Sequence, residues 1–319
     1  MAPTKFNATT AKAKLAALRM GLVEAGASEH TQPVTYDPSD VADLASQLLA
    51  TSLNPVERLA VREQAFIASL DSGDLRAASA HLSVIEKQFS FDESVRVQRL
   101  HGLLAEAHGD FARAVEIYSA ALEKDETNVL IYKRVVAVLV SQGKRAEAIE
   151  KLVAYVDAFM QDVEGWTELA ALYLEENMLP QAQFCFEELL LLRPQNHLYH
   201  VRYAEVLYTG GKFELAIKHY CAALELCKDN VRALYGLKVA TAAALAARAK
   251  IVPGKGSKGG RGSSTSLATK DAAAEDEAVD DETIASLSAV ASKRLAALYE
   301  AGGKEGATSH SVVKTWLAI

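Results

Sequence analysis

No run of about 18 consecutive apolar residues occurs in the 319-residue chain, so no segment has the length and character of a membrane-spanning helix. The nearest candidate, Tyr235 to Ala247, is short and contains Lys238. Basic residues are not in surplus: the formal net charge is -7, which argues against broad affinity for nucleic acid, since counterion release needs an excess of Lys and Arg. Cysteine is scarce. Cys185, Cys221 and Cys227 make neither a CxxC pair nor an even set, which points to buried structural thiols in a reducing compartment. Only seven prolines are present, and aromatics make up 7 % of a chain that is 50 % apolar and rich in Ala, Leu and Glu. That composition disfavours sheet and predicts an all-α protein.

What is there is a period. From Val163 the segment EGWTELAALYLEENMLPQAQFCFEELLLLRP sets Trp166, Leu169, Ala170, Tyr173, Ala182, Phe186 and Pro194 at the spacings of the tetratricopeptide (TPR) pattern. Stepping by 34 aligns Ala114, Ala148, Ala182 and Ala216 without an insertion. Other columns agree. Gly102, Val136, Ala170 and Ala204 are small or modest; Gly109, Gly143 and Gly211 share a turn column with Asn177; and Tyr118, Leu152, Phe186 and Tyr220 form a bulky column. Small residues let the helices of a hairpin approach to about 8–10 Å, and large ones fill the space between successive hairpins. The prediction is an all-α fold of TPR-type helical hairpins forming a right-handed superhelix.

The flanks are looser. Residues 1–58 read as an N-terminal helical extension and 59–247 as the repeat array, with Gly73, Asp74 and Ala78 echoing Gly109, Asp110 and Ala114 across a two-residue insertion near Phe89 to Asp92. Lys5, Lys12, Lys14 and Arg19, with no acid before Glu24, have the look of a mitochondrial presequence; the alternative is an amphipathic helix whose Leu15, Leu18 and Leu22 pack on the first repeat or on a partner. Residues 248–282 are rich in Gly, Ser and charge and read as a disordered insert within a hairpin. Residues 283–319 supply a returning helix, Thr283 to Glu300, that completes or caps the array, followed by an apolar stretch with Val312, Val313, Trp316 and Leu317 expected to dock.

No constellation suggests chemistry. The eight histidines are scattered, and His197-x-x-His200 lacks a near third ligand. The glycines from Gly254 to Gly262 lack the strand and helix of a phosphate loop. Hence no catalytic residue, cofactor or metal is assigned. What remains is a surface: the first helix of each hairpin lines the inner side, placing Arg96, Arg99, Lys133, Thr167, Val201 and Glu205 in a candidate partner-binding groove that runs from basic to mild. The Lys and Asn pair that clamps a terminal carboxylate in chaperone-binding repeats is missing, because Arg99 with Leu103 and Lys133 with Ala137 stand there.

The strings RVQRLHGLLAEAHGDFARAVEIY, AIEKLVAYVDAF, DVEGWTELAALYLEENMLPQAQFCFEELLLLRPQNHLYHVRYAEVLYTGG and NVRALYGL resemble the family of subunit 2 of the endoplasmic reticulum membrane protein complex, over nearly half the chain. The resemblance implies a non-catalytic scaffold on the cytosolic side of that membrane, supporting insertion of tail-anchored and other transmembrane proteins. It also implies gripping the cytosolic parts of membrane-embedded subunits and a globular cytosolic subunit, with only indirect membrane association. The alternatives are a TPR adaptor or co-chaperone binding peptide segments and, in the enzyme class, a helical-repeat transferase with a site in the groove.

Overall fold

The computed structural model describes residues 11–12, 14–15, 36–251, 279–301 and 315. The glycine-rich insert and the apolar C-terminal stretch, save its ends and Thr315, lie outside the described residues, as do Leu18 and Leu22. Thirteen helices and no strand occur among the described residues. The chain divides into two compact units, Met1–Lys151 and Leu152–Ile319.

The first unit holds α1 (Pro38–Leu49), α2 (Pro55–Asp71), α3 (Leu75–Glu86), α4 (Val95–Ala107), α5 (Phe111–Lys124) and α6 (Val129–Ser141). Helix α7 (Arg145–Ala158) runs across the boundary. The second unit continues with α8 (Val163–Glu175), α9 (Leu179–Leu192), α10 (His197–Thr209), α11 (Phe213–Leu226), α12 (Val231–Ile251) and α13 (Asp281–Ala301).

Within each unit the repeat columns fall where helices touch. Ala78, Ala114, Ala148, Ala182 and Ala216 are all 0 % exposed. Gly102, Val136, Ala170 and Ala204 are buried on the first helices, and Tyr118, Leu152, Phe186 and Tyr220 are buried on the second. The approach is closest at Gly102 on α4, where an added Cβ would lie 2.2 Å from Tyr118 Cε1. On α12 the 34-residue step lands on Lys238, and the close approach shifts to Gly236, where a Cβ would lie 2.3 Å from Tyr220 Cε1.

Among the described residues five hairpins reverse through one residue with positive φ: Gly73, Gly109, Gly143, Asn177 and Gly211. In this left-handed conformation an ordinary side chain is strained, while glycine is not and asparagine tolerates it. The following residue returns its N–H to the helix carbonyl five residues back, as in Asp110 to Ala105 at 2.9 Å and Lys144 to Leu139 at 2.9 Å. In the first two of these turns that same residue also opens the next helix, Asp74 and Asp110 accepting from the N–H of Ala77 and Arg113.

A further column was not among the predicted ones. Ser94, Asn128, Asp162, Asn196 and Asn230 stand 34 residues apart and cap the first helix of five successive hairpins with a side-chain oxygen. Asn54 caps α2 in the same manner, which starts that helix at Pro55.

The insertion near Phe89 takes a definite form. Helix α3 has 12 residues against 14 in α5, and the link to the next hairpin spans 87–94 in place of the four residues 125–128. Upstream, Ala11 and Leu15 are buried with Val41, Ala45, Leu48 and Val61, and Lys12 Nζ sits 2.8 Å from Glu57, so the described N-terminal residues pack on the first hairpin. Downstream, α13 returns antiparallel along α12. Tyr235 faces Tyr299, Lys238 Nζ donates to Ser292 at 3.0 Å, and Arg248 reaches Asp281.

Two outcomes follow for stability. Gly102→Ala should cost about 1–3 kcal/mol through overpacking against Tyr118, and Asn230→Ala about 1 kcal/mol through loss of the cap; both are read as lower midpoints in urea unfolding of the full chain.

Candidate partner-binding surfaces

The predicted groove residues fall in both units and are taken unit by unit. In the first, Arg96 and Arg99 lie three residues apart on α4, hence on one face, and both reach Glu63 of α2. The Arg99 Nη2 to Glu63 Oε1 distance is 3.0 Å. Glu63 is mostly buried while Arg96 is 67 % exposed, so one carboxylate answers two guanidinium groups and the patch stays locally positive. Bonding to Glu63 holds the Arg96 guanidinium above its ordinary pKa.

An apolar cavity of about 340 Å³ opens beside this cluster, walled by Val56, Leu59, Ile85, Phe89, Val97 and Leu100, with Glu63 and Arg96 also lining it. It lies at the lengthened link after α3. Lys133 is half-buried on α6 and has interactions of its own.

The pairing recurs on the next pair of first helices. Glu106 of α4 accepts from the Tyr118 hydroxyl and from Arg134 of α6, whose Nε is 3.1 Å away. Burial first, then the bond to Glu106, push the Tyr118 hydroxyl up, so it stays protonated and donates.

In the second unit Glu205 of α10 accepts from Arg232 of α12, at 2.7 Å for Nη2, with Arg202 3.9 Å away. Thr167 is exposed on α8, its hydroxyl donating to the Val163 carbonyl at 2.8 Å. Val201 departs from the expectation. It is 1 % exposed and fills the interior of α10's packing face, so it does not line a groove.

The partners Arg134 and Arg232 escaped the sequence reading for a geometric reason. Facing residues on successive first helices lie 28 residues apart for Glu106 and Arg134 and 27 for Glu205 and Arg232, so a search stepping by 34 passes them by.

The histidines group differently from their spacing. His197 Nδ1 accepts from the Asn230 amide at 2.9 Å, while His200 turns to His219 of α11, their Nδ1 atoms 3.2 Å apart. His200 Nε2 lies 3.1 Å from the Pro194 carbonyl, which can only accept, so that nitrogen carries the proton. His219 Nδ1 must then donate to His200 Nδ1. Burial, then the neighbouring His200, lower His219 to a pKa of about 4. Among the described residues no group of three potential metal ligands converges.

Stacked helix pairs with left-handed turn residues in a 34-residue register define a tetratricopeptide repeat protein. A solved structure of the C-terminal part of a TPR repeat-containing protein from Cytophaga hutchinsonii shares this fold, with a TM-score of 0.55 at 13 % identity, covering 94 % of this chain and 98 % of that one. Residues 86–219 match the model described as the EMC2 TPR-like repeat domain.

The chain is 42 % identical over 184 residues to ER membrane protein complex subunit 2 of Xenopus tropicalis, covering 57 % of this chain and 61 % of that protein. It is 31 % identical over 182 residues to TPR repeat protein oca3 of Schizosaccharomyces pombe, covering 56 % and 64 %. The chain thus spans about three-fifths of the length of these curated relatives.

Because His219 titrates lower in the folded protein than in the unfolded chain, the unfolded state binds more protons between about pH 6.5 and about 4. Acidification through that window should lower the thermal midpoint, and His219→Gln should flatten the dependence relative to the parent in a pH series of thermal melts.

Proposed function

We propose that the chain is a non-catalytic scaffold subunit of the ER membrane protein complex, peripheral on the cytosolic face, supporting insertion of tail-anchored and other transmembrane proteins. The observation that carries this is the 42 % identity over 184 residues to a protein named as that complex's subunit 2. No helix among the described residues is long and apolar enough to cross a membrane, so on this reading attachment is through partners.

The partners are the cytosolic parts of membrane-embedded subunits and a globular cytosolic subunit. Candidate contacts are Arg96 and Arg99 beside the first unit's cavity, Lys133 on α6, and Thr167 and Glu205 in the second unit. Arg96 is the strongest of these, because its exposed guanidinium adjoins apolar surface, and such a pairing concentrates binding energy at interfaces.

Epitope-tagged chain recovered from detergent-solubilised membranes should migrate in a large assembly with other subunits of the complex. Migration as a free monomer would end the proposal. With the assembly established, Arg96→Gln should reduce recovery of partners severalfold, while Arg99 continues to pair with Glu63 and the thermal midpoint changes little.

A further inference from the structure

The second unit carries an apolar cleft that the proposed groove does not include. Its volume is about 410 Å³, within the range of pockets that take a bulky side chain. Val153, Val156 and Asp157 of α7 form one wall, Trp166 and Leu169 of α8 the floor, and Phe184 of α9 the opposite wall. The Trp166 indole N–H is satisfied by the Met160 carbonyl at 2.9 Å, and its ring meets Phe184 edge-on at 6.0 Å. Phe184 is 53 % exposed, so one large apolar side chain of the lining faces solvent.

The one charged residue lining the cleft is Asp157. From Leu152 to Leu192 the chain has eight carboxylates and not one Lys, Arg or His, whereas the other 278 residues hold 34 basic and 33 acidic residues. The negative balance of the whole protein therefore resides in the stretch that builds this cleft. Asp157 lines it and, among the described residues, has no hydrogen bond or ion pair. Inside, Cys185 is pushed up to about 12 by burial and then by the nearby negative charge of Glu188.

This combination selects its occupant. Anionic lipid, nucleic acid, an acidic tail or the same cleft of a second copy would each meet like charge. A basic segment with one bulky apolar residue meets complementary chemistry at both points. We propose that the cleft docks such a segment of a partner protein, its apolar side chain seating against Trp166 and Phe184 while an adjacent lysine or arginine meets Asp157. The proposal holds whichever assembly the chain enters.

The test uses the full chain and three fluorescein-labelled helical peptides read by anisotropy: one of Leu and Lys, one of Leu and Glu, and one of Ser and Lys. The Leu/Lys peptide should bind at least about tenfold tighter than either comparator, and Asp157→Lys and Phe184→Ser should each weaken it about tenfold. Both positions are exposed, and unchanged thermal midpoints verify folding. Added salt should weaken binding, and Arg76→Ser, at an exposed position in the other unit, should leave it unaltered. Equal binding of the Ser/Lys or the Leu/Glu peptide would overturn the proposal, as would unchanged affinity in both folded variants.

Discussion

Every hairpin depends on two helix backbones coming close enough that nothing larger than a methyl group fits between them. The alanines at 78, 114, 148, 182 and 216 have no exposed surface, and at 102 even a methyl is excluded by Tyr118. Close approach brings the bulky column of the second helices into contact with neighbouring helices and excludes water from the core. It also sets which residues face outward on successive first helices, and so decides which charges meet. The pairings Glu63 with Arg96 and Arg99, Glu106 with Arg134, and Glu205 with Arg232 follow from that placement.

These pairs change how the outward face is read. Counted singly, Arg96 and Arg99 look like two free cations and Glu205 like a lone anion. In the folded chain each is matched across a helix interface. The more exposed of these pairs, such as Glu205 with Arg232, add little stability, on the order of 0–1 kcal/mol. Their effect is on recognition, because a partner meets a surface whose charges are partly spoken for. By contrast, Asp157 sits beside apolar surface without a counter-ion in the described structure.

Much of the architecture was legible because its causes are local and periodic. The turn column at 109, 143, 177 and 211 was readable since only glycine or asparagine suits a left-handed turn. The returning helix after the insert was readable from Ile284, Leu287 and Leu295, and it packs along α12. The capping column at 94, 128, 162, 196 and 230 was equally periodic but its letters vary among Ser, Asn and Asp, which share an oxygen and not an identity. The site was less legible. Val201 is apolar in a first helix, and one residue of helical rotation separates lining a groove from filling a core. Ion pairs between helices depend on rotation as well as on period.

Arg248 has a consequence of a different kind. Its guanidinium binds Glu214 at 2.6 Å, the Val279 carbonyl at 2.6 Å and Asp281, so one side chain staples the chain's departure from α12 to its re-entry at α13. With both ends of the excursion fastened at a single point, the helices on either side do not sense how much polypeptide is spliced between them. The entropic cost of a longer span grows only logarithmically, about 0.6 kcal/mol per doubling. That staple makes the position one where a span of different length would leave the packed helices in place.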